Sequence, residues 1–463
     1  MKKLFLFIAA LCAVNAMATE GALSGKFSVS STKKVVFSQG NLQATTTDYG
    51  ANWTWAFAAN QWDYIGGTEN TSSAEATTNN KIYGNGAATL NGTVDLFGWS
   101  TAATVYGIHN STDNSTYSGD FVDWGNNMGN GWRTLTRNEW QYIFKNRPNA
   151  ASLFGLGTVN GRAGVIVLPD DWVKPTDLSF TPSPSSGLEL NDFKYEDTNN
   201  VNHYLDNVYT ESQWSKMSAA GAVFLPAAGG RFNNNKVNYV GRNGIYWSAT
   251  LNEEIAAYCF KVDTAFLSPQ LSYQRQVGLS VRLVKDYVQT KQMTPVTCHL
   301  NWDESNNEWG LTVYDDPDDP TFLFTFAVTG TKDVLPTSMV LSGSTNDMYA
   351  FVDTSDPYFE CIIKNANITI EYDGGLRTKD VSGSSIIYVP TKISGELTDA
   401  AGNKLIVNAP ANFIDSNVSG VSISTAVDQI EDAQSSNCKF IKEDQLLIMR
   451  DGKVYSAQGQ LMK

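Results

Sequence analysis

Histidine and cysteine are scarce in this chain, at three and five among 463 residues. His109, His203 and His299 stand far apart, and no GxSxG, HExxH or paired CxxC accompanies them. The usual marks of a nucleophilic triad or a zinc site are therefore missing. We assign no catalytic residue, no metal ligands and no cofactor from the sequence. Cysteine is too sparse to build a disulfide scaffold, so hydrophobic burial must hold the domains together. Basic charge is in deficit as well. With 33 Lys and Arg against 47 Asp and Glu, the formal net charge is -14, which repels phosphate backbones and argues against a nucleic-acid partner. Beyond the N-terminus no run is apolar enough to span a bilayer as a helix, so no transmembrane span is expected.

One apolar run does occur, at the very start. Lys2 and Lys3 precede "LFLFIAALCAV", and Ala16-Met17-Ala18 offers a small-x-small cleavage site, so residues 1–18 read as a secretory signal peptide with the mature chain starting near Thr19. Cys12 follows Leu11, where a lipobox wants a small residue. The expected location is outside the cell or on the outer-membrane surface.

The length calls for two or three domains. Ten of the twelve tryptophans lie between Trp53 and Trp247, interleaved with polar runs such as "TENTSSAEATTNNK". That pattern describes a loop-rich α+β domain over residues 22–287 with an aromatic core. Its clearest helix start is "LTRNEW", where Thr136 and Glu139 form a capping box, Leu135 and Trp140 form a staple, and Pro148 stops the helix after roughly three turns. Strand alternation is visible in Trp53, Trp55 and Phe57, in Tyr258, Phe260 and Val262, and in Leu279, Val281 and Leu283. Helix is expected mainly in the first of these stretches.

After "VKDYVQTKQMTP" the pattern changes to short alternating strands with frequent turns, which predicts a helix-free β-sandwich over 295–415. Residues 416–437 are polar without a sustained period and read as a linker. In 438–463, Leu446 and Ile448 precede Asp451-Gly452, the dipeptide of a tight hairpin turn.

Several segments carry resemblances. "GALSGKFSVSSTKKVVFSQGNLQ", "WAFAANQWDYIG", "DLFGWST", "WRTLTRNEWQYIF", "VIVLPDDW", "GAVFLPAAGGR", "YWSAT" and "VGLSVRLV" together resemble the secreted major-paralogous (FISUMP-type) domains of Bacteroidales-type bacteria. Those are related to the formylglycine-generating-enzyme version of the C-type-lectin-like fold. The tail "QLLIMRDGKVYSAQGQLMK" is similar to sorting signals read by type IX secretion machinery. The expected architecture is thus an α+β C-type-lectin-like domain, an all-β sandwich and a small β-hairpin tail. Formylglycine-generating enzymes need a cysteine pair that binds copper, whereas Cys259 stands alone in "AAYCFKVD" and reads as a core residue.

Function then rests on loops. "GGRFNNNKVNYVGRNG" is a long polar loop, and Arg231, Asn233, Asn234, Tyr239, Arg242, Asn243 and Tyr246 are its candidate ligand-binding residues. The competing reading is that its Asn and Gly residues only supply left-handed turns. "GLGTVNG" lacks the strand-turn-helix setting of a phosphate loop and reads as a turn. "YDDPDDP" offers hard oxygen ligands for calcium or is a solvated turn. Cys298 and Cys361 both face the sandwich core and either pair as a disulfide or remain two buried thiols. A non-catalytic binding protein for a glycan or surface protein is the leading expectation. A component of a cell-envelope or fimbria-like assembly is the alternative, followed by a divergent sulfatase-modifying-type enzyme.

Overall fold

The computed structural model describes residues 21–65, 92–108, 113–183, 187–191, 201–232, 237–295, 297–315, 322–332, 334–343, 348–354, 362–372, 376–381, 385–400, 402–408, 422–424, 438–442, 445–450 and 453–456. The chain divides into two compact units, Met1–Tyr287 and Val288–Lys463. Both are rich in β-structure. Residues 1–18, the expected signal peptide, lie outside the described residues. Among the described residues no helix is long and apolar enough to cross a membrane.

The first unit is closed by its own ends. Strand Lys34–Phe37 pairs antiparallel with Leu283–Asp286, which also pairs with Trp132–Thr134. A second sheet contains the hairpin Phe154–Val159 and Arg162–Val167, where Asn160 and Gly161 both adopt positive φ. The glycine-rich "GLGTVNG" is therefore a strand and its tight turn. A third sheet, formed by Gly244–Asn252, Ala256–Asp263, Phe266–Gln274 and Glu189–Leu190, separates two cores. Ile245, Trp247, Ala257 and Cys259 face one core, while Tyr246, Phe260 and Val262 face the other. Alternation in "AAYCFKVD" therefore marks two apolar faces where one was expected, because the strand is covered on both sides.

The helix start at Thr136 forms as its capping box predicts. Thr136 Oγ1 accepts from the Glu139 amide at 3.3 Å, and the Thr136 amide donates to Glu139 Oε2 at 2.8 Å. The α-turns of Arg137–Gln141 widen into a π-turn over Tyr142–Asn146. A second helix, Glu211–Ala219, corrects the expectation of helix mainly in one place. It starts from a capping box of its own, between Thr210 and Gln213, and buries Trp214 and Met217.

The second unit contains a five-stranded and a seven-stranded sheet whose inward side chains join one core, including Leu300, Leu311, Phe324, Ile368, Ile393 and Leu405. No helix occurs there among the described residues. The five-stranded sheet begins before residue 295, because Thr290–Met293 pairs parallel with Lys404–Asn408. Residues Ser422–Ser424, inside the expected linker, pair with Leu376–Thr378 and extend the seven-stranded sheet. Strands Cys438–Lys442, Gln445–Arg450 and Lys453–Ser456 form a separate three-stranded antiparallel sheet.

Candidate functional site

The described part of the polar loop identified in the sequence adjoins the third sheet, where Gly229 bridges Gly244. Gly230–Arg231 pairs with Val237–Asn238, and the chain then turns through Tyr239 before entering the strand that starts at Gly244. Tyr239 has φ +62, a costly conformation for a bulky residue. Three contacts hold it there. The amides of Arg242 and Asn243 donate to the Tyr239 carbonyl at 3.0 and 2.9 Å, and the Gly229 amide donates to the Asn243 carbonyl at 2.8 Å. Gly229 is itself at φ +72, and a Cβ there would lie 2.3 Å from the Asn238 carbonyl oxygen, so only glycine fits.

This turn sets the Tyr239 ring edge-on to Phe232 at 5.7 Å, and Phe232 in turn meets Tyr273 at 5.8 Å. All three aromatics are half-buried, and Phe232 and Tyr273 pack on the rim of the core. Arg242 is exposed, with its Nε 3.2 Å from Oδ1 of the buried Asp263. The Tyr204 hydroxyl donates to the Arg242 carbonyl at 2.7 Å. The result is an aromatic ledge with a pinned cation beside it in the chain.

The other expected ligand residues are placed differently. Arg231 is fully buried, which corrects its assignment to the loop surface. Its amide and carbonyl bridge Gly278 at 2.8 Å each way, and its Nη1 donates to the Leu96 carbonyl at 3.2 Å. Room for the guanidinium comes from Gly278, where a Cβ would lie 2.8 Å from Arg231 Cζ. Tyr246 is likewise buried, donating to the Pro226 carbonyl at 2.8 Å and accepting from Asn41 Nδ2 at 3.4 Å. Burial raises its phenol pKa well above the ordinary value. Asn243 is buried too, so Arg231, Asn243 and Tyr246 build the loop from within. Asn233 and Asn234 lie outside the described residues. Phe232 and Tyr273 were missed in the sequence, because an aromatic between polar residues gives no sign of which partner it meets.

Cys259 is buried in the core, where desolvation pushes its thiol pKa up. A thiol kept protonated is a poor nucleophile and a poor metal ligand. Cys298 lies in the core of the second unit beside Leu300, while Cys361 falls outside the described residues, and with it the question of their pairing. In "YDDPDDP", Asp315 Oδ1 accepts the Phe322 amide at 3.0 Å; Asp316, Asp318 and Asp319 lie outside the described residues.

A family of domains of unknown function, DUF8237, matches residues 193–284. The match encloses the loop, the aromatic ledge and three of the four strands of the third sheet. No curated protein and no solved structure matches the chain.

Proposed function

We propose that this is an exported, non-catalytic binding protein that recognises a glycan or surface protein through the loops of a C-type-lectin-like first domain. The observation that carries the reading is Tyr239. A bulky aromatic is held in a left-handed conformation, its half-exposed ring meets Phe232, which in turn meets Tyr273, and an exposed arginine follows three residues on. Backbone strain of this kind concentrates at ligand-contacting positions, and tyrosine and arginine are the side chains that contribute most at recognition surfaces. A unit closed by its terminal strands also supports the reading, since it forms a rigid base for long loops. Export is supported by the basic and apolar N-terminus, and type IX sorting by the resemblance of the tail.

The test is binding of the full chain to glycan and surface-protein arrays, comparing wild type with Tyr239→Ala and Arg242→Ala. Each variant is expected to lose at least one array ligand that wild type binds, while melting as cooperatively as wild type. Unchanged binding by both would remove the ledge from the proposal. Arg231→Ala is unsuitable as a probe, because it empties a buried site. Deleting residues 438–463 should leave the upstream domains folded and trap the protein in the periplasm; normal yield at the surface or in the medium would refute the sorting role.

A further inference from the structure

A cleft of about 460 Å3 opens elsewhere on the first unit, between the chain at residues 22–24, the turn after strand Thr54–Phe57, and the second helix. A smaller cleft of about 220 Å3 continues from it, sharing Ser24 and Ala219 and adding Lys26 and Asp171. The larger one alone falls within the range of about 300–1,000 Å3 usual for small-molecule sites. Its residues are distinct from the ledge of Phe232, Tyr239 and Tyr273.

The chemistry of this cleft is narrow. Trp62 and Trp214 line it, and its polar side chains are amides and hydroxyls, including Gln39, Asn60, Gln61 and Ser218; no charged side chain lines it among the described residues. Gln61 is fixed by three bonds. It accepts the Phe224 amide at 2.6 Å and donates to Ser218 Oγ at 2.9 Å and the Ala222 carbonyl at 3.4 Å. Ser218 Oγ accepts from Gln61, which leaves its own proton to donate. Trp214 is buried, and its Nε1 has no acceptor among the described residues. Its ring is held edge-on to Phe224 at 5.6 Å, so the indole is fixed in place.

We infer that this cleft binds a neutral saccharide. Sugars present alternating hydroxyl donors and acceptors together with apolar C–H faces, and the Gln39 and Asn60 amides, the Ser218 hydroxyl and the Trp62 indole complement both. Among the described residues that line the larger cleft, an anionic ligand would meet no cation and a cationic one no carboxylate. The continuation past Ser24 and Ala219 gives room for an oligomer of more than one sugar.

The experiment is calorimetric titration of the full chain with neutral gluco-, galacto-, manno- and N-acetylglucosamine oligosaccharides, with sulfated and uronic-acid oligosaccharides and neutral peptides run alongside. At least one neutral oligosaccharide is expected to bind. Ser215→Trp, which adds bulk to the cleft from an exposed helix position, should weaken that binding about tenfold or more, and Ser218→Ala several-fold. Melting curves check that both variants fold. Failure of every neutral saccharide to bind, capture of only anionic sugars or only peptides, or indifference to Ser215→Trp would each overturn the inference. Loss of saccharide binding in Tyr239→Ala alone would also overturn it, while leaving the ledge as the binding site.

Discussion

Arg133 and Glu139 form a two-pronged ion pair, with Nη1 to Oε2 at 2.9 Å and Nη2 to Oε1 at 2.7 Å. The same carboxylate closes the capping box on Thr136, and the same guanidinium reaches Asp286 Oδ1 at 2.7 Å. One helix start is thereby tied to strand Trp132–Thr134 and to the closing strand Leu283–Asp286. The paired carboxylates hold the Arg133 guanidinium pKa above its ordinary value, against the opposing effect of burial.

Glu139→Ala removes the cap and the ion pair together, and is expected to lower the stability of the first unit by about 2–3 kcal/mol. Glu139→Gln keeps an acceptor for the Thr136 amide and should cost about half as much. Urea unfolding of the three proteins measures both. Equal losses in the two variants would mean that the charge, and not the cap, dominates.

Two buried arginines should respond in opposite ways to replacement by methionine. Arg147 donates to the carbonyls of Ile143, Leu168 and Leu153 at 2.7, 2.9 and 3.2 Å and to Asp170 Oδ1 at 3.2 Å. Arg147→Met strands these acceptors and should cost about 3–5 kcal/mol. Arg282 donates through Nη1 to Asn41 Oδ1 at 3.3 Å, while its Nε and Nη2 have no acceptor among the described residues. Arg282→Met should fall within about 1 kcal/mol of wild type or stabilise the protein, since a poorly partnered buried cation contributes little. Similar losses from both substitutions would refute the distinction.

What the sequence disclosed follows from how local each cause is. The Thr136 capping box is written within four residues, so it was legible at once. The box at Thr210 and Gln213 is just as local, yet only Trp214 and Met217 of that helix are buried, and two apolar positions make no periodic stripe. Parallel pairing of Glu189–Leu190 with Phe266–Leu267, or of Thr290–Met293 with Lys404–Val407, depends on partners far along the chain and leaves no local mark. Arg231 misled for a related reason. Its polar neighbours place it on a surface, whereas Gly278, forty-seven residues on, makes the room that buries it.

Alkaline pH provides a third test. Burial raises the Tyr209 phenol to about 12, and its hydroxyl donates to the Ser179 carbonyl. A folded-state pKa above the unfolded value of about 10 means that the contribution is complete below pH 10 and is lost as pH rises through about 12. Tyr204 and Tyr246, also pushed up by burial, act in the same direction. Stability measured by denaturant titration should therefore fall across that window. Tyr209→Phe should lower the neutral-pH plateau by about 1 kcal/mol and make the alkaline fall shallower. An unchanged alkaline slope would mean that Tyr209 is not held neutral by the fold.

Tyr239 separates architecture from recognition most directly. Glycine carries no penalty at φ +62, so Tyr239→Gly relieves backbone strain, while removing the ring costs its edge-on contact with Phe232. These effects oppose each other at about 1 kcal/mol each, so the variant should melt within a few degrees of wild type. If the strain serves only to pack Phe232, ligand binding should survive the substitution. If it serves to present the ring, binding on the arrays should fall about tenfold or more at nearly constant stability. The second outcome is expected, because the hydrogen bonds from Arg242 and Asn243 go to the Tyr239 carbonyl and would hold a glycine there equally well. A protein that keeps this turn without the ring, and still binds, would show that the turn is needed only for the fold.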